Sequence, residues 1–85
     1  MAEVVIYTKP GCPYCVRALA LLDSKGADYE NIVASNDPQK KAEMVQRSNG
    51  RATFPQVFID GRHIGGSDAL HALDRQGKLD PLLAA

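Results

Sequence analysis

The two thiols of this 85-residue chain, Cys12 and Cys15, stand two residues apart in Cys12-Pro13-Tyr14-Cys15. At i and i+3 of a right-handed helix two residues share a face one turn apart, with Cα atoms roughly 5 Å from each other, inside the range a disulfide spans. Such a pair closes and reopens with little backbone movement. Pro13 suits the first helical position, where its fixed φ matches the helix and its missing N–H has no intrahelical partner to lose. That makes Cys12 the N-cap. Its sulfur then faces the free N–H groups of Tyr14 and Cys15 and the positive end of the helix dipole, which favours thiolate over thiol, and Lys9 adds positive charge. Cys15, a turn inside, should be more buried and less acidic. The expected division of labour is attack by Cys12 and resolution by Cys15.

Two plainer readings compete. A structural disulfide closing so small a loop removes little unfolded-chain entropy and makes a poor staple. A zinc half-site would need His63 and His71, whose seven intervening residues exceed the usual spacing, and no further cysteine is present.

The elements that must position this pair are readable from the pattern. Val4 to Tyr7 is a β-branched run suited to a strand buried on both faces, and Thr8-Lys9-Pro10-Gly11 turns the chain toward Cys12. From Pro13 to about Lys25 the pattern is helical, with Ala18, Leu19 and Leu22 continuing the face of Cys15 and Gly26 at the C-terminal cap. Tyr29 to Val33 reads as an edge strand. Asn36-Asp37-Pro38 opens a helix that carries Met44 and Val45 inward and stops near Asn49-Gly50. Its outer residues Lys40, Lys41 and Arg47 read as a solvated basic face. Phe54 to Ile59 gives a third strand, and Asp60-Gly61 is a hairpin signal leading into Arg62-His63-Ile64. Gly65-Gly66-Ser67-Asp68 is a turn with a capping hydroxyl at Ser67, opening a helix that ends before Gly77, and Leu79 to Leu83 packs as a short turn. Tyr7 and Tyr29 read as packing residues. The order βαβαββα implies an α/β fold: a mixed four-stranded sheet with helices on both faces and the cysteines at the carboxyl end of a strand, where ligands bind in such sheets.

Length and a 45% hydrophobic share fit one domain over residues 1–85 with a modest core. Zero formal net charge argues against nucleic acid or an anionic membrane as the main partner. The N-terminal stretch lacks a basic region and a long apolar run, so a cytoplasmic location is expected, where a lone vicinal pair is more often catalytic than structural.

This arrangement resembles the thioredoxin-like fold, and the residues from Val5 to Leu82 resemble the dithiol glutaredoxins. Cys-Pro-Tyr-Cys with a lysine three residues ahead, Thr53-Phe54-Pro55 and Gly65-Gly66-Ser67-Asp68 carry the likeness, while thioredoxin's Trp-Cys-Gly-Pro-Cys is absent. The resemblance implies a glutathione-dependent thiol-disulfide oxidoreductase that uses glutathione as co-substrate and no metal. It implies a glutathione site of Lys9, Pro13, Tyr14, Lys41, Thr53, Phe54, Pro55, Gly66, Ser67 and Asp68. In it Pro55 matches a cis-proline, and the Phe54 backbone pairs with the cysteinyl unit. Ser67 and Asp68 match binders of the γ-glutamyl end, and Lys9 and Lys41 match binders of the glycyl carboxylate. On spacing alone, a trans-proline opening the strand and simple helix caps explain Pro55, Ser67 and Asp68 as well. Phe54 stands where the family most often has valine, and Ala52 where a polar residue is frequent.

The implied partners are glutathionylated or disulfide-bonded proteins, ribonucleotide reductase among the possibilities, with glutathione reductase acting indirectly on a monomer. Two rival readings are a [2Fe–2S] carrier held by Cys12 sulfurs and glutathione, which Pro13 disfavours, and a hydrogen donor recharged by a thioredoxin reductase.

Overall fold

The computed structural model describes residues 2–84. The elements follow the order β1 (Val4–Thr8), α1 (Pro13–Ser24), β2 (Tyr29–Val33), α2 (Pro38–Arg47), β3 (Gln56–Ile59), β4 (Arg62–Gly65), α3 (Ser67–Arg75) and α4 (Leu79–Ala84). The strands form one sheet in the order β2-β1-β3-β4, with β1 parallel to β2, antiparallel to β3, and β3 antiparallel to β4. This is the mixed four-stranded sheet of a thioredoxin-like fold.

β1 is buried at all five residues, and its alternation divides the interior. Val4 and Ile6 join Val57 and Ile59 of β3 against Ala18 and Leu22 of α1, Leu70 of α3 and Leu79 of α4. Val5 and Tyr7 join Phe58 against Met44 of α2 on the other face. Helices therefore cover both faces, and the strand that precedes the cysteines is clamped between them. β2 lies at an edge with Glu30, Asn31 and Val33 exposed.

Local chemistry explains the boundaries. α1 ends in a Schellman motif: Gly26 takes φ +67°, its N–H bonds the Asp23 carbonyl, and the Ala27 N–H bonds the Leu22 carbonyl. Asp60 and Gly61 both have positive φ, as a two-residue hairpin of the primed type requires. Asp37 caps α2, its carboxylate accepting from the Gln39 and Lys40 N–H groups.

Four expectations are corrected. β3 begins at Gln56, and Phe54 sits in a bend, because pairing with β1 starts only where Gln56 meets Tyr7. The N-cap of α3 is Gly66, not Ser67, and no side chain caps that helix; β4 runs to Gly65 and α3 begins at Ser67, which leaves Gly66 alone between them. The C-terminal turn is a six-residue helix, α4, seated by buried Leu79 and by Lys25, whose ammonium pairs with Asp74 at 2.7 Å and Asp80 at 3.0 Å. Tyr7 is more than packing, as its hydroxyl donates to Glu43 at 2.7 Å and accepts from Arg47 at 2.8 Å.

The apolar face of α1 holds the redox segment in place. Leu22 is fully buried, so Leu22→Ala should cost roughly 2–5 kcal/mol through lost burial and the cavity left behind. Urea unfolding checks this, with a fall in the midpoint at an unchanged slope as the expected result.

Candidate active site

β1 ends at Thr8, and Lys9-Pro10-Gly11 carries the chain to the start of α1. Cys12 is the N-cap of α1, in extended conformation, with Pro13 at the first helical position. Its sulfur accepts from the Cys15 N–H at 3.4 Å. Both thiols are free and buried.

Their surroundings push the two thiols apart. Burial opposes ionisation of Cys12, yet the thiol is held below its ordinary range. Hydrogen bonds from the Cys15 thiol and from the Cys15 and Tyr14 N–H groups, together with the Lys9 charge, outweigh the burial. Burial pushes Cys15 up to about 11, and the hydrogen bond and charge of Cys12 add to that, with Lys9 opposing. One thiol is therefore prepared as a nucleophile while the other keeps its proton.

This difference predicts an alkylation pattern. A lowered pKa shifts the loss of thiolate to lower pH, so Cys12 should react with iodoacetamide at pH values where an ordinary thiol has become unreactive. Cys15, at about one part in a thousand thiolate at pH 8, should stay unmodified until strongly alkaline pH. Lys9→Gln should move the Cys12 profile upward. Peptide mass spectrometry across a pH series reads all three outcomes.

The surface around Cys12 is a continuous groove. One cleft, of about 560 Å³, is lined by Lys9, Cys12, Pro13, Tyr14, Lys41 and Thr53 among others. It shares Tyr14, Thr53 and Phe54 with a second cleft, of about 340 Å³, that runs past Pro55 and Gly66 to Ser67 and Asp68. The structure thus brings Lys9, Cys12, Pro13, Tyr14, Lys41, Thr53, Phe54, Pro55, Gly66, Ser67 and Asp68 to one groove, with Cys15 buried behind it. The Phe54-Pro55 peptide bond is cis. The Lys9 ammonium lies 6.0 Å from the Phe54 ring centroid, across the Cys12 cleft.

Glycine at position 65 is forced by the approach of α3. Its φ is +123°, and a Cβ there would meet the Ala69 Cβ at 3.0 Å. The tight turn brings the first turn of α3 to the groove.

The two histidines engage separate partners. His63 Nε2 lies 2.7 Å from Gln56 Oε1, and His71 Nδ1 lies 2.8 Å from the Ser67 carbonyl. Arg51 lines the second cleft, and Arg17, His71 and Arg75 extend the groove beyond Asp68. Sequence reasoning did not single out Arg17 or Arg75. Their place depends on how α1 and α3 cross, which no local pattern encodes.

A reduced dithiol of unequal acidity, at the carboxyl end of a central strand of a thioredoxin-like sheet, defines a thiol-disulfide oxidoreductase. More narrowly, the chain belongs to the glutaredoxin family: the Glutaredoxin family model matches residues 4–64. Glutaredoxin 3 of Escherichia coli strain K12 is 57% identical over 83 residues, covering 98% of this chain and 99% of its own. The solution structure of glutaredoxin from Brucella melitensis superposes with a TM-score of 0.85 at 58% identity, covering 98% of this chain and 89% of that one. A crystal structure of a buckwheat glutaredoxin–glutathione complex gives 0.87 at 37% identity, covering 98% and 77%. Among the described residues, no helix is long and apolar enough to cross a membrane.

Proposed function

We propose that this protein is a glutathione-dependent oxidoreductase that reduces protein–glutathione mixed disulfides and protein disulfides, with Cys12 as nucleophile and Cys15 as resolving thiol. The observation that carries this reading is the groove itself. It has ammonium groups of Lys9 and Lys41 at the Cys12 end and the N-terminal turn of α3 with Asp68 at the other. Glutathione is a tripeptide with a carboxylate at one end and a carboxylate and an ammonium at the other. Lys9 and Lys41 suit the glycyl carboxylate, the N–H groups at the start of α3 suit the γ-glutamyl carboxylate, and the Asp68 carboxylate suits the ammonium. Between them the Phe54 backbone adds to the cysteinyl unit as a strand would. The buckwheat relative, solved in complex with glutathione, supports the same reading.

The Cys12 thiolate attacks the glutathione sulfur of a mixed disulfide. The S–S bond breaks, the protein thiolate leaves and takes a proton, and glutathione remains on Cys12. A second glutathione thiolate attacks that glutathione sulfur, releasing oxidised glutathione and restoring the Cys12 thiolate, and glutathione reductase returns the oxidised form at the expense of NADPH. With a protein disulfide, Cys12 forms a mixed disulfide with the substrate. Cys15 then loses its proton and attacks the Cys12 sulfur, freeing the second substrate thiol, and two glutathiones reduce the resulting Cys12–Cys15 bridge. Ribonucleotide reductase belongs to the chemical class of substrate this route serves. The chemistry suits a monomer, as a single domain, in the reducing cytoplasm.

Oxidised glutathione added to the Cys15→Ser protein tests the site. The expected result is one glutathione adduct on Cys12 by mass spectrometry, with the largest amide shifts at Phe54, Ser67 and Asp68. An adduct whose shifts fall outside the groove would contradict the assignment.

A further inference from the structure

Between the end of α2 and the start of β3 the chain has no regular structure, and Phe54 lies in this stretch. None of the hydrogen bonds among the described residues uses the Phe54 N–H or carbonyl, so its backbone groups are free to meet a ligand. Their position must then be set by what holds the neighbouring residues. Two side chains reach into the stretch. Ser48 Oγ lies 2.9 Å from the Arg51 carbonyl. Gln56 Nε2 donates to the Thr53 carbonyl at 3.0 Å and to Thr53 Oγ1 at 3.1 Å.

Gln56 is fully buried in a strand whose other residues are Val57, Phe58 and Ile59, a costly place for an amide unless each of its polar atoms is partnered. They are, and the partners fix its orientation. A carbonyl only accepts, so the NH₂ group faces Thr53 and Oε1 faces His63 Nε2 at 2.7 Å. The imidazole must therefore donate from Nε2. Its ring lies 5.1 Å from that of Phe58, which meets Tyr7 edge-on at 5.6 Å in the packed core. Burial, and then the charge of Arg51, lower the pKa of His63 and so favour the neutral ring. A continuous chain of contacts thus runs from the core through His63 and Gln56 to Thr53, which lines both clefts.

We propose that Gln56, oriented by His63, is a positioning residue: it fixes Thr53 and thereby sets the Phe54 backbone at the groove for the cysteinyl unit of glutathione. This rests on the reading of the groove as a glutathione site. Gln56 touches no reacting atom, so its effect belongs to binding and not to the reactivity of the Cys12 sulfur.

Steady-state kinetics with a glutathionylated peptide, glutathione, glutathione reductase and NADPH provide the test. Gln56→Met keeps the side-chain length and removes both hydrogen bonds to Thr53. It should raise KM for the peptide roughly five- to tenfold, the size of an effect worth about one ordinary hydrogen bond, with kcat changed by less than about twofold. His63→Phe, which keeps a ring against Phe58 but loses the donor, should raise KM by a smaller factor. His63→Gln restores an amide donor and should return KM to the wild-type value. The double variant of Gln56→Met and His63→Phe should be no worse than Gln56→Met alone, because His63 acts through Gln56.

An unmoved KM in Gln56→Met, or kcat falling in step with the folded fraction, would overturn the positioning role. If Gln56→Met fails to fold, the contrast between His63→Phe and His63→Gln decides, and equal KM values in the two would overturn it. A wild type that turns over no peptide would overturn the glutathione reading and the positioning role together, whereas wild-type turnover with an unmoved KM in the variants sinks the positioning role alone.

Discussion

Replacing Cys12 with serine should abolish turnover of both glutathionylated proteins and protein disulfides, by on the order of a thousandfold or more, as loss of a nucleophile commonly does. The physical reason is narrow. A serine hydroxyl at position 12 still accepts the helix N–H groups, and serine is among the best N-cap residues, so α1 and its packing should persist. What disappears is an ionisable sulfur. The hydrogen bonds and Lys9 charge that hold the Cys12 thiol below its ordinary range cannot bring an alkoxide within reach of neutral pH. Coupled NADPH consumption measures the loss, and an unchanged urea midpoint separates it from unfolding. Substantial residual turnover by Cys12→Ser would remove Cys12 from the nucleophile's role.

Cys15→Ser should divide the two activities. Cys15 is buried, and its thiol is pushed up to about 11, so it stays protonated at neutral pH. On the proposed route the removal of glutathione from a protein needs only Cys12 and a second glutathione, and a serine hydroxyl at position 15 still donates to the Cys12 sulfur as the thiol does. That activity should stay within about threefold of wild type, a change of well under 1 kcal/mol in the barrier. Reduction of a protein disulfide lacks its resolving step and should fall by about a hundredfold or more, with the substrate trapped on Cys12. Parallel assays with a glutathionylated peptide and a disulfide-bonded protein show the split. Equal losses in both would contradict the division of labour between the thiols.

Much of this architecture was legible because short-range chemistry dictates it. Pro13 can sit only at the start of α1, which makes Cys12 the N-cap. Asp60-Gly61 supplies the two positive φ angles of the hairpin, and the β-branched run at Val4 marks a strand buried on both faces. The glutaredoxin likeness added the pairing of distant motifs, from Lys9 to Asp68, that no local pattern supplies.

What stayed hidden depends on register and packing. Phe54 has strand propensity, but β3 starts at Gln56 because pairing with β1 ends at Tyr7. Ser67 is a good capping residue, yet where the chain leaves β4 makes Gly66 the cap. The Gln56–His63 contact needs β3 and β4 aligned as a hairpin, in which Phe58 faces His63. Its sequence trace was a polar residue within an otherwise apolar strand, which demands a partner. α4 is too short to be specified by propensity, and the Leu79 pocket and the Lys25 ion pairs fix it.

The most direct test of glutathione-dependent chemistry on Cys12 is NADPH consumption with glutathione, glutathione reductase and a glutathionylated peptide, the Cys15→Ser protein being run beside the wild type. Glutathione-dependent chemistry on Cys12 predicts turnover by both proteins at comparable rates. Turnover by neither, with both folded, would contradict it and would return the groove from Lys41 to Asp68 to an ordinary set of solvated charges and helix ends.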